Sequence, residues 1–329
     1  MREEWSRSSR DLDLSEADVT ALIQPAFPGR KVDRFQRAIG GLANTNFEVW
    51  IDGENTPVML RLLVRDGTSV AREEALNRLS LGGVPMPRFI YASPDNPVTG
   101  HAYILMEWVD GVRLELAASA MKPADLIKIG CELGMALAAI HGVKYAQTGF
   151  FDDLLEVATP VLMGSEGLLG YMEHCLIEKK GSRHIGAALT KSLFAFVREH
   201  GRLIDSWKDA PSLAHGDFGG SNILVRESAD TWAVSAILDW EFAFSGTPFF
   251  DFGNLLRAPL GDLPGFAEAV RVGYLEAGGS LPDDWQLRSR ISDLFSWCDF
   301  LSKPNLNAAL IRDARANIER TIGLSIPIS

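Results

Sequence analysis

The most informative stretch of the chain is LAHGDFGGSNILV, at residues 213–225. It places Asp217 five positions before Asn222, which stands at the start of an apolar run that predicts a short strand. A second apolar run, residues 233–238, ends at Asp239, seventeen positions after Asn222. Each of these polar residues alone would fit an ordinary turn or a helix cap. Together, in this order and at strand ends, they predict a catalytic site.

The residue types in this pattern suit the transfer of a phosphoryl group. Such a transfer needs a carboxylate that accepts a proton from the attacking hydroxyl, and hard oxygen ligands that hold Mg²⁺ on the phosphates. We therefore predict Asp217 as the catalytic base, and Asn222 and Asp239 as the metal ligands. The spacing from Asp217 to Asn222 equals that of the protein-kinase catalytic loop. A hydrolase with Asp217 and Asp239 as paired carboxylates is an alternative, but it would explain neither Asn222 nor the glycines at residues 40–41.

The chain before this stretch has the pattern of a small sheet. After a helix predicted to begin behind Ser15, the β-rich runs and one further helix are at residues 32–49, 58–64, 70–81 (helix), 89–92 and 102–107. The turn at Asp52 and Gly53 predicts an antiparallel hairpin. Beyond residue 111, helical patterns dominate. We predict an α+β chain with a small antiparallel-sheet N-terminal lobe at 1–106, a hinge at 107–111 and a larger, mostly helical C-terminal lobe at 112–329.

Composition and charge exclude several classes of protein. With 329 residues, 47% of them hydrophobic and 23% charged, the chain can bury a large core, so it is not mainly disordered. The net charge of −11 argues against binding to nucleic acid and against docking on an anionic membrane.

The cysteines and the N-terminus indicate a cellular compartment. The odd number and wide spacing of Cys131, Cys175 and Cys298 exclude a disulfide framework and a zinc knuckle. The charged N-terminus lacks the apolar segment of a signal peptide, and no apolar stretch is long enough to span a bilayer. We therefore expect a cytoplasmic protein.

The two motifs resemble those of a known family. The run His-Gly-Asp-x-x-x-x-Asn at residues 215–222, followed by Ile-Leu-Asp-Trp-Glu at residues 237–241, resembles the aminoglycoside phosphotransferases. Choline and ethanolamine kinases and other small-molecule kinases of the protein-kinase-like fold are similar. The resemblance extends from about Phe35 to about Asp299. It implies a two-lobed protein-kinase-like fold, ATP (with GTP not excluded) as the donor, Mg²⁺, and a small hydroxylated acceptor.

The resemblance also implies a nucleotide site in the N-terminal lobe. A loop at residues 40–46 takes the place of the nucleotide-positioning loop, which implies nucleotide contacts from Gly41, Ala43, Asn44, Thr45 and Asn46. Arg61 stands where relatives carry a phosphate-contacting lysine. Glu73 matches the carboxylate that holds this cation, with Glu74 as the alternative.

The hinge implies contacts with the adenine base. In the segment ILMEWVDG, residues 104–111, the Glu107 carbonyl and the Val109 amide would pair with adenine, and Met106 would lie behind it. In the C-terminal lobe, the family pattern makes His215 a structural residue of the catalytic loop and Asp251 an acid that braces this loop.

The acceptor site is expected between the catalytic loop and the C-terminal helices. Glu241 is a candidate because it follows Asp239, and Asp293 shares a predicted helical face with Trp297. An acid beside an aromatic ring suits an ammonium group, so a cationic acceptor is expected, with Asp299 as a further acid. Antibiotic kinases, kinases of choline, amino alcohols or sugars, and a pseudokinase favoured only by Arg61 all remain open.

Overall fold

The computed structural model of the chain describes residues 12–38, 44–64, 66–79 and 81–323. Its N-terminal part is an antiparallel sheet with two helices. The elements are β1 (Val32–Arg37), β2 (Thr45–Ile51), β3 (Val58–Leu63), β4 (Phe89–Ser93), β5 (Ala102–Glu107), α1 (Glu16–Ile23) and α2 (Val70–Arg78). The strand order is β1-β2-β3-β5-β4. This sheet, and the hairpin of β2 and β3 around Gly53 (φ +78°), confirm the predicted pattern.

Helix α1 begins where its capping residues predict. The Ser15 hydroxyl accepts a hydrogen bond from the Asp18 amide, and the Asp18 carboxylate accepts one from the Ser15 amide at 2.8 Å. Its buried residue Leu22 packs against the face of the sheet that carries Leu60 and Leu62. Because side chains alternate along a strand, the intervening Arg61 lies on the opposite face.

The C-terminal part is mostly helical, as predicted. Its helices are α3 (Leu114–Ala117), α4 (Pro123–His141), α5 (Ser165–Met172), α6 (Ser182–Ile185), α7 (Ala187–His200), α8 (Arg202–Asp205), α9 (Pro248–Leu255), α10 (Phe266–Glu276), α11 (Trp285–Ser302) and α12 (Ala308–Ile322). A π-helical segment, Glu173–Glu178, follows α5. Helices α4 and α10 approach closely because Gly134 lacks a side chain; a Cβ there would lie 2.1 Å from the Val270 carbonyl oxygen.

Short strands connect these helices. They are β6 (Val112–Arg113), β7 (Gly149–Phe151), β8 (Val157–Pro160), β9 (Ser212–Ala214), β10 (Ile223–Ser228), β11 (Thr231–Ile237) and β12 (Phe244–Gly246). Strands β10 and β11 match the two predicted apolar strands, and β6 adds to the edge of β10. The small sheet β8-β7-β12-β9 was not predicted, since strands of three or four residues are too short to show an alternating pattern. Within the described ranges, no helix has both the length and the apolar character needed to cross a bilayer.

Candidate active site

The hairpin of β10 and β11 brings the two predicted metal ligands to one end of a strand pair. Ile223 pairs with Ile237 in the antiparallel register, and the Leu238 amide donates to the Asn222 carbonyl at 2.8 Å. Asn222 precedes β10 and Asp239 follows β11, so both stand at the same end of the hairpin. Asp239 adopts a left-handed conformation (φ +60°), which ends the strand and turns the chain.

The predicted base is held by the predicted metal ligand. The Asn222 side-chain amide donates to the Asp217 carboxylate at 2.8 Å and to the Asp217 carbonyl at 2.9 Å. The loop turns sharply at Gly216 (φ +81°), where a Cβ would lie 2.2 Å from the Phe242 carbonyl oxygen. This turn and the two bonds orient the Asp217 carboxylate, which is half-buried.

Asp251, on α9, holds the same loop through hydrogen bonds to its backbone. Its fully buried carboxylate accepts hydrogen bonds from the backbone amides of His215 at 2.8 Å and Gly216 at 2.9 Å. Its Oδ2 also lies 3.1 Å from Nε2 of the buried His141, whose Nδ1 is 3.2 Å from the Tyr274 hydroxyl. Asp251 thus ties α9 to the loop at two consecutive amides, in the position that the family pattern implied.

His215 is a neutral structural residue in this geometry. Its Nε2 lies 2.9 Å from the Leu238 carbonyl, which only accepts, so Nε2 carries the proton. Its Nδ1 therefore accepts from the Asp217 amide at 3.2 Å. Burial lowers the pKa of His215 below its usual 6.5, although Asp251 and Asp217 act in the opposite direction. The imidazole links the loop to the end of β11.

Arg61 lies at the centre of a cluster of carboxylates. Its guanidinium is 3.3 Å from Glu73, 3.4 Å from Asp239 and 3.7 Å from Glu241. Burial disfavours the charged form, but these three acids outweigh it and raise the pKa of Arg61. Of the two alternatives on α2, the partner is therefore Glu73, whereas Glu74 forms a surface pair with Arg78.

The predicted nucleotide-positioning loop is only partly described. Gly41 and Ala43 lie outside the described residues. Asn44 faces Arg61: with its amide oxygen turned toward the guanidinium, it accepts from Nε at 3.1 Å and Nη2 at 2.7 Å. Asn46 pairs with Arg61 across β2 and β3 and shares its face of the sheet.

The prediction that Thr45 contacts the nucleotide through its side chain is wrong. Thr45 pairs with Leu62, and the alternation of β2 places it on the same face as Phe47, toward α1. Its side chain is completely buried there, on the face opposite Arg61.

The predicted hinge follows β5. Met106 is buried on the same face of the sheet as Arg61, between Met59 on β3 and Phe89 on β4. The Glu107 carboxylate pairs with Arg88 at 2.9 Å. Across the described part of the chain, the Val109 amide donates no hydrogen bond, which leaves it available to a ligand.

The prediction of free acids for a cationic acceptor is wrong. Glu241 pairs with Arg61, and Asp299 pairs with Lys303 at 3.0 Å. Asp293 is buried and accepts hydrogen bonds from Arg257 Nε at 2.9 and 3.1 Å, as well as an ion pair from Arg257 Nη2. Each acid is paired with a basic residue that is either distant in sequence or one helical turn away. The helical spacing of the acids did not show these partners.

Trp297 lines a cavity, but its ring is already covered by a cation of the protein itself. Its indole donates to Asp293 at 2.6 Å, and the Arg257 guanidinium already lies 4.6 Å from its ring centroid. The cavity is a small cleft, far below the size of a typical small-molecule site. Its wall includes the catalytic-loop residues 219–221, Arg257 and Glu115, and no sequence pattern singled out the last two.

Comparisons with known proteins agree with this geometry. The sequence model of the phosphotransferase enzyme family matches residues 34–288, most of the chain. "Acyl-CoA dehydrogenase family member 10" of Mus musculus is 25% identical over 199 residues, which make up 57% of this chain but 17% of that protein. The chain thus spans less than a fifth of that curated relative.

Solved structures share the fold at low sequence identity. Wild-type aminoglycoside 2'-phosphotransferase-IIIa with GDP has a TM-score of 0.69 and 16% identity, covering 94% of this chain and 99% of that chain. A thermostable mutant of aminoglycoside phosphotransferase APH(4)-Ia with ADP and hygromycin B has a TM-score of 0.65 and 16% identity, with coverages of 94% and 99%. A putative aminoglycoside phosphotransferase of Ralstonia eutropha JMP134 has a TM-score of 0.65 and 20% identity, with coverages of 92% and 94%. The α+β, protein-kinase-like arrangement expected from the sequence is confirmed.

Proposed function

The chain belongs to the phosphotransferase enzyme family, and from this premise we propose that it transfers a phosphoryl group from ATP to a hydroxyl of a small molecule. One observation carries the proposal: the Asp217 carboxylate is held by Asn222, and Asn222 and Asp239 stand together at one end of the β10–β11 hairpin. The Arg61–Glu73 ion pair adjoins them through Asp239. A base, two oxygen ligands and a cation for phosphates are the parts that this reaction requires.

In this proposal Asp217 accepts the proton of the acceptor hydroxyl. Asn222 donates to one carboxylate oxygen at 2.8 Å and thereby orients the carboxylate toward the acceptor. Asp251 keeps the loop in place through the amides of His215 and Gly216. His215 stays neutral and acts as a spacer rather than as a second base, because burial lowers its pKa.

The residues at the end of the hairpin fit Mg²⁺. Asn222 donates through its side-chain nitrogen, and for its side-chain oxygen the described ranges hold no hydrogen bond. The Asp239 side chain is 42% exposed, so part of its carboxylate can take a ligand. Amide and carboxylate oxygens are ligands that Mg²⁺ prefers, usually beside waters and phosphates. Within the described residues, no three or more His, Cys, Asp and Glu side chains are grouped so that they could hold a metal by themselves. When bound, the ion would neutralise charge on the phosphates.

The nucleotide is proposed to lie between the sheet and this hairpin. Arg61 keeps the positive charge and the carboxylate partner that a phosphate-contacting residue needs, which favours an enzyme over a pseudokinase. Asn44 and Asn46 lie next to Arg61. The 107–111 segment is proposed as a hinge whose Val109 amide pairs with the nucleotide's purine ring. Structural neighbours are complexes with GDP, ADP or AMP-PNP, which supports a purine nucleotide as the donor.

A turnover screen tests the proposal. The purified chain is incubated with MgATP or MgGTP and with aminoglycosides, macrolides, amino alcohols or sugars, and phosphorylated product is measured by mass spectrometry. Replacing Asp217 with asparagine should reduce transfer by roughly 10²–10⁴-fold, because general-base catalysis is lost. Nucleotide affinity should be retained, since Asn222 can still donate to the side-chain oxygen at position 217. Wild-type turnover in the Asp217→Asn enzyme would disprove the assignment of the base.

A further inference from the structure

Arg72, on helix α2, reaches the segment that carries one of the predicted metal ligands. Its Nη2 donates a hydrogen bond to the backbone carbonyl of Glu241 at 3.3 Å, across 169 positions of sequence. Glu241 lies two residues after Asp239. The next residue of α2, Glu73, holds Arg61. Two adjacent side chains of one helix thus hold the proposed phosphate-contacting cation and the segment of the proposed metal ligand.

The position of Arg72 is costly to the folded protein. Within the described ranges, its half-buried side chain has no carboxylate partner and donates the one hydrogen bond to Glu241. Its Nε is inaccessible to solvent and meets no acceptor there. A buried donor without an acceptor costs free energy, which an apolar side chain at this position would avoid. Residues that break a local rule of stability in this way are expected where a defined geometry serves function.

The backbone of Asp239 needs support on both sides. Its φ of +60° lies in the left-handed region, which is unfavourable for residues other than glycine. Such a conformation persists only where the surrounding structure fixes it. Before Asp239, the Leu238 amide donates to the Asn222 carbonyl at 2.8 Å. After it, the hydrogen bond from Arg72 holds the Glu241 carbonyl.

Arg61 and Arg72 hold this segment in different ways. Arg61 pairs with the carboxylates of Asp239 and Glu241, at 3.4 and 3.7 Å. Phosphates and Mg²⁺ are proposed to compete for these contacts, so they change when the nucleotide binds. The bond from Arg72 is to a backbone carbonyl, for which neither ligand competes. It can therefore persist while Asp239 exchanges Arg61 for the metal ion.

We propose that Arg72 is a positioning residue for the metal site. By holding the Glu241 carbonyl, it fixes the backbone of Asp239 in the conformation from which the carboxylate binds Mg²⁺ on the nucleotide. This inference rests on the proposed function, because it takes Asp239 as a metal ligand. Arg72 itself contacts neither the nucleotide nor the ion, and it acts only through the 239–241 segment.

Nucleotide binding at different Mg²⁺ concentrations tests this inference. AMP-PNP is titrated by calorimetry into the wild type, Arg72→Met, Arg72→Lys and the control Arg78→Met, over a series of Mg²⁺ concentrations and in excess EDTA. Arg78 lies on the same helix, but its side chain is 75% exposed and pairs with Glu74. The control therefore removes the same charge from α2 without touching the 239–241 segment. Urea unfolding of the four proteins gives their free energies of unfolding.

We expect Arg72→Met to need about 10-fold more Mg²⁺ for half-maximal nucleotide binding, as for the loss of one hydrogen bond from a charged donor. Its affinity for AMP-PNP in EDTA should equal that of the wild type, because Arg61 keeps its partner Glu73. Arg72→Lys can still donate to the carbonyl and should show a smaller rise. The free energy of unfolding of Arg72→Met should match that of Arg78→Met, since a buried unpartnered donor is removed together with the bond.

Three results would overturn the inference. These are an unchanged Mg²⁺ dependence in Arg72→Met, a loss of affinity that is as large in EDTA as in Mg²⁺, and an equal rise in Arg78→Met. A loss of stability with unchanged Mg²⁺ dependence would make Arg72 a structural residue only. If Arg72→Met does not fold, Arg72→Lys decides: a rise above that of Arg78→Met supports the inference, and no rise overturns it. A wild type that binds AMP-PNP equally well in Mg²⁺ and in EDTA would instead contradict the proposed metal site, so the two failures are distinguishable.

Discussion

Replacing Arg61 by methionine should destabilise the protein strongly, because it leaves a buried carboxylate without its cation. Glu73 is 2% exposed and lies 3.3 Å from the guanidinium. Its remaining described partner is the Ser69 hydroxyl at 2.9 Å, a neutral donor that cannot balance the charge. Removing one member of a buried ion pair costs about 3–5 kcal/mol, a large share of a typical stability of about 5–15 kcal/mol.

The loss should be smaller when the acid is replaced instead. In Glu73→Gln the guanidinium keeps Asp239 and Glu241 as partners, at 3.4 and 3.7 Å. The cost is then close to that of one charged hydrogen bond, about 1.5–3 kcal/mol. In the double variant Arg61→Met/Glu73→Gln no charge remains at position 73, so the two losses should fall short of additivity by about 0.5–3 kcal/mol.

Urea unfolding, monitored by circular dichroism and fitted with a common m value, gives the free energy of unfolding of the wild type, both single variants and the double variant. The four values form a double-mutant cycle. Arg61→Lys serves as the matched control: it keeps the charge but loses the planar fork, and it should lie between the wild type and Arg61→Met. A loss below about 1 kcal/mol in Arg61→Met, or strictly additive losses, would refute the view that Glu73 depends on this cation.

Three further outcomes follow from the geometry. Asp239→Ala should abolish the Mg²⁺ dependence of nucleotide binding, measured by calorimetry with and without the ion; unchanged dependence would remove Asp239 from the metal site. Burial lowers the pKa of His215, so below a pH of about 6.5 the unfolded chain takes up a proton that the folded chain excludes. The free energy of unfolding therefore decreases as the pH is lowered through this range. Between pH 7.5 and 5.5, His215→Gln should lose less stability than wild type, by up to about 1.4 kcal/mol per pH unit in urea titrations; equal slopes would contradict this. Gly134→Ala should destabilise, since its Cβ would lie 2.1 Å from a carbonyl oxygen of α10, whereas Gly170→Ala on the exposed side of α5 meets nothing and should stabilise by about 0.5–1 kcal/mol; thermal melts that do not separate the two would contradict the packing argument.

Features carried by short segments could be predicted from the amino-acid order. The Ser15 cap with Asp18, the Asp52–Gly53 turn and the alternation of β2 and β3 depend on neighbours a few residues apart. The two apolar runs were predicted as strands, and the structure pairs them as β10 and β11. These local patterns sufficed for the fold class, whereas the roles of Asp217, Asn222 and Asp239 stay predictions.

The acceptor side could not be predicted, for a physical reason. Whether an acid is free depends on which cation the fold brings to it: Asp293 meets Arg257 from the turn that follows α9, and Glu241 meets Arg61 from a strand 180 positions earlier. Arg72 likewise carries no distinctive motif and becomes notable only because the fold brings it to the Glu241 carbonyl. Local order thus determined the strands, turns and catalytic spacing, because each depends on neighbours along the chain. Tertiary packing alone decided which charges are neutralised and which side chain holds the Glu241 carbonyl, since those depend on distances between remote segments.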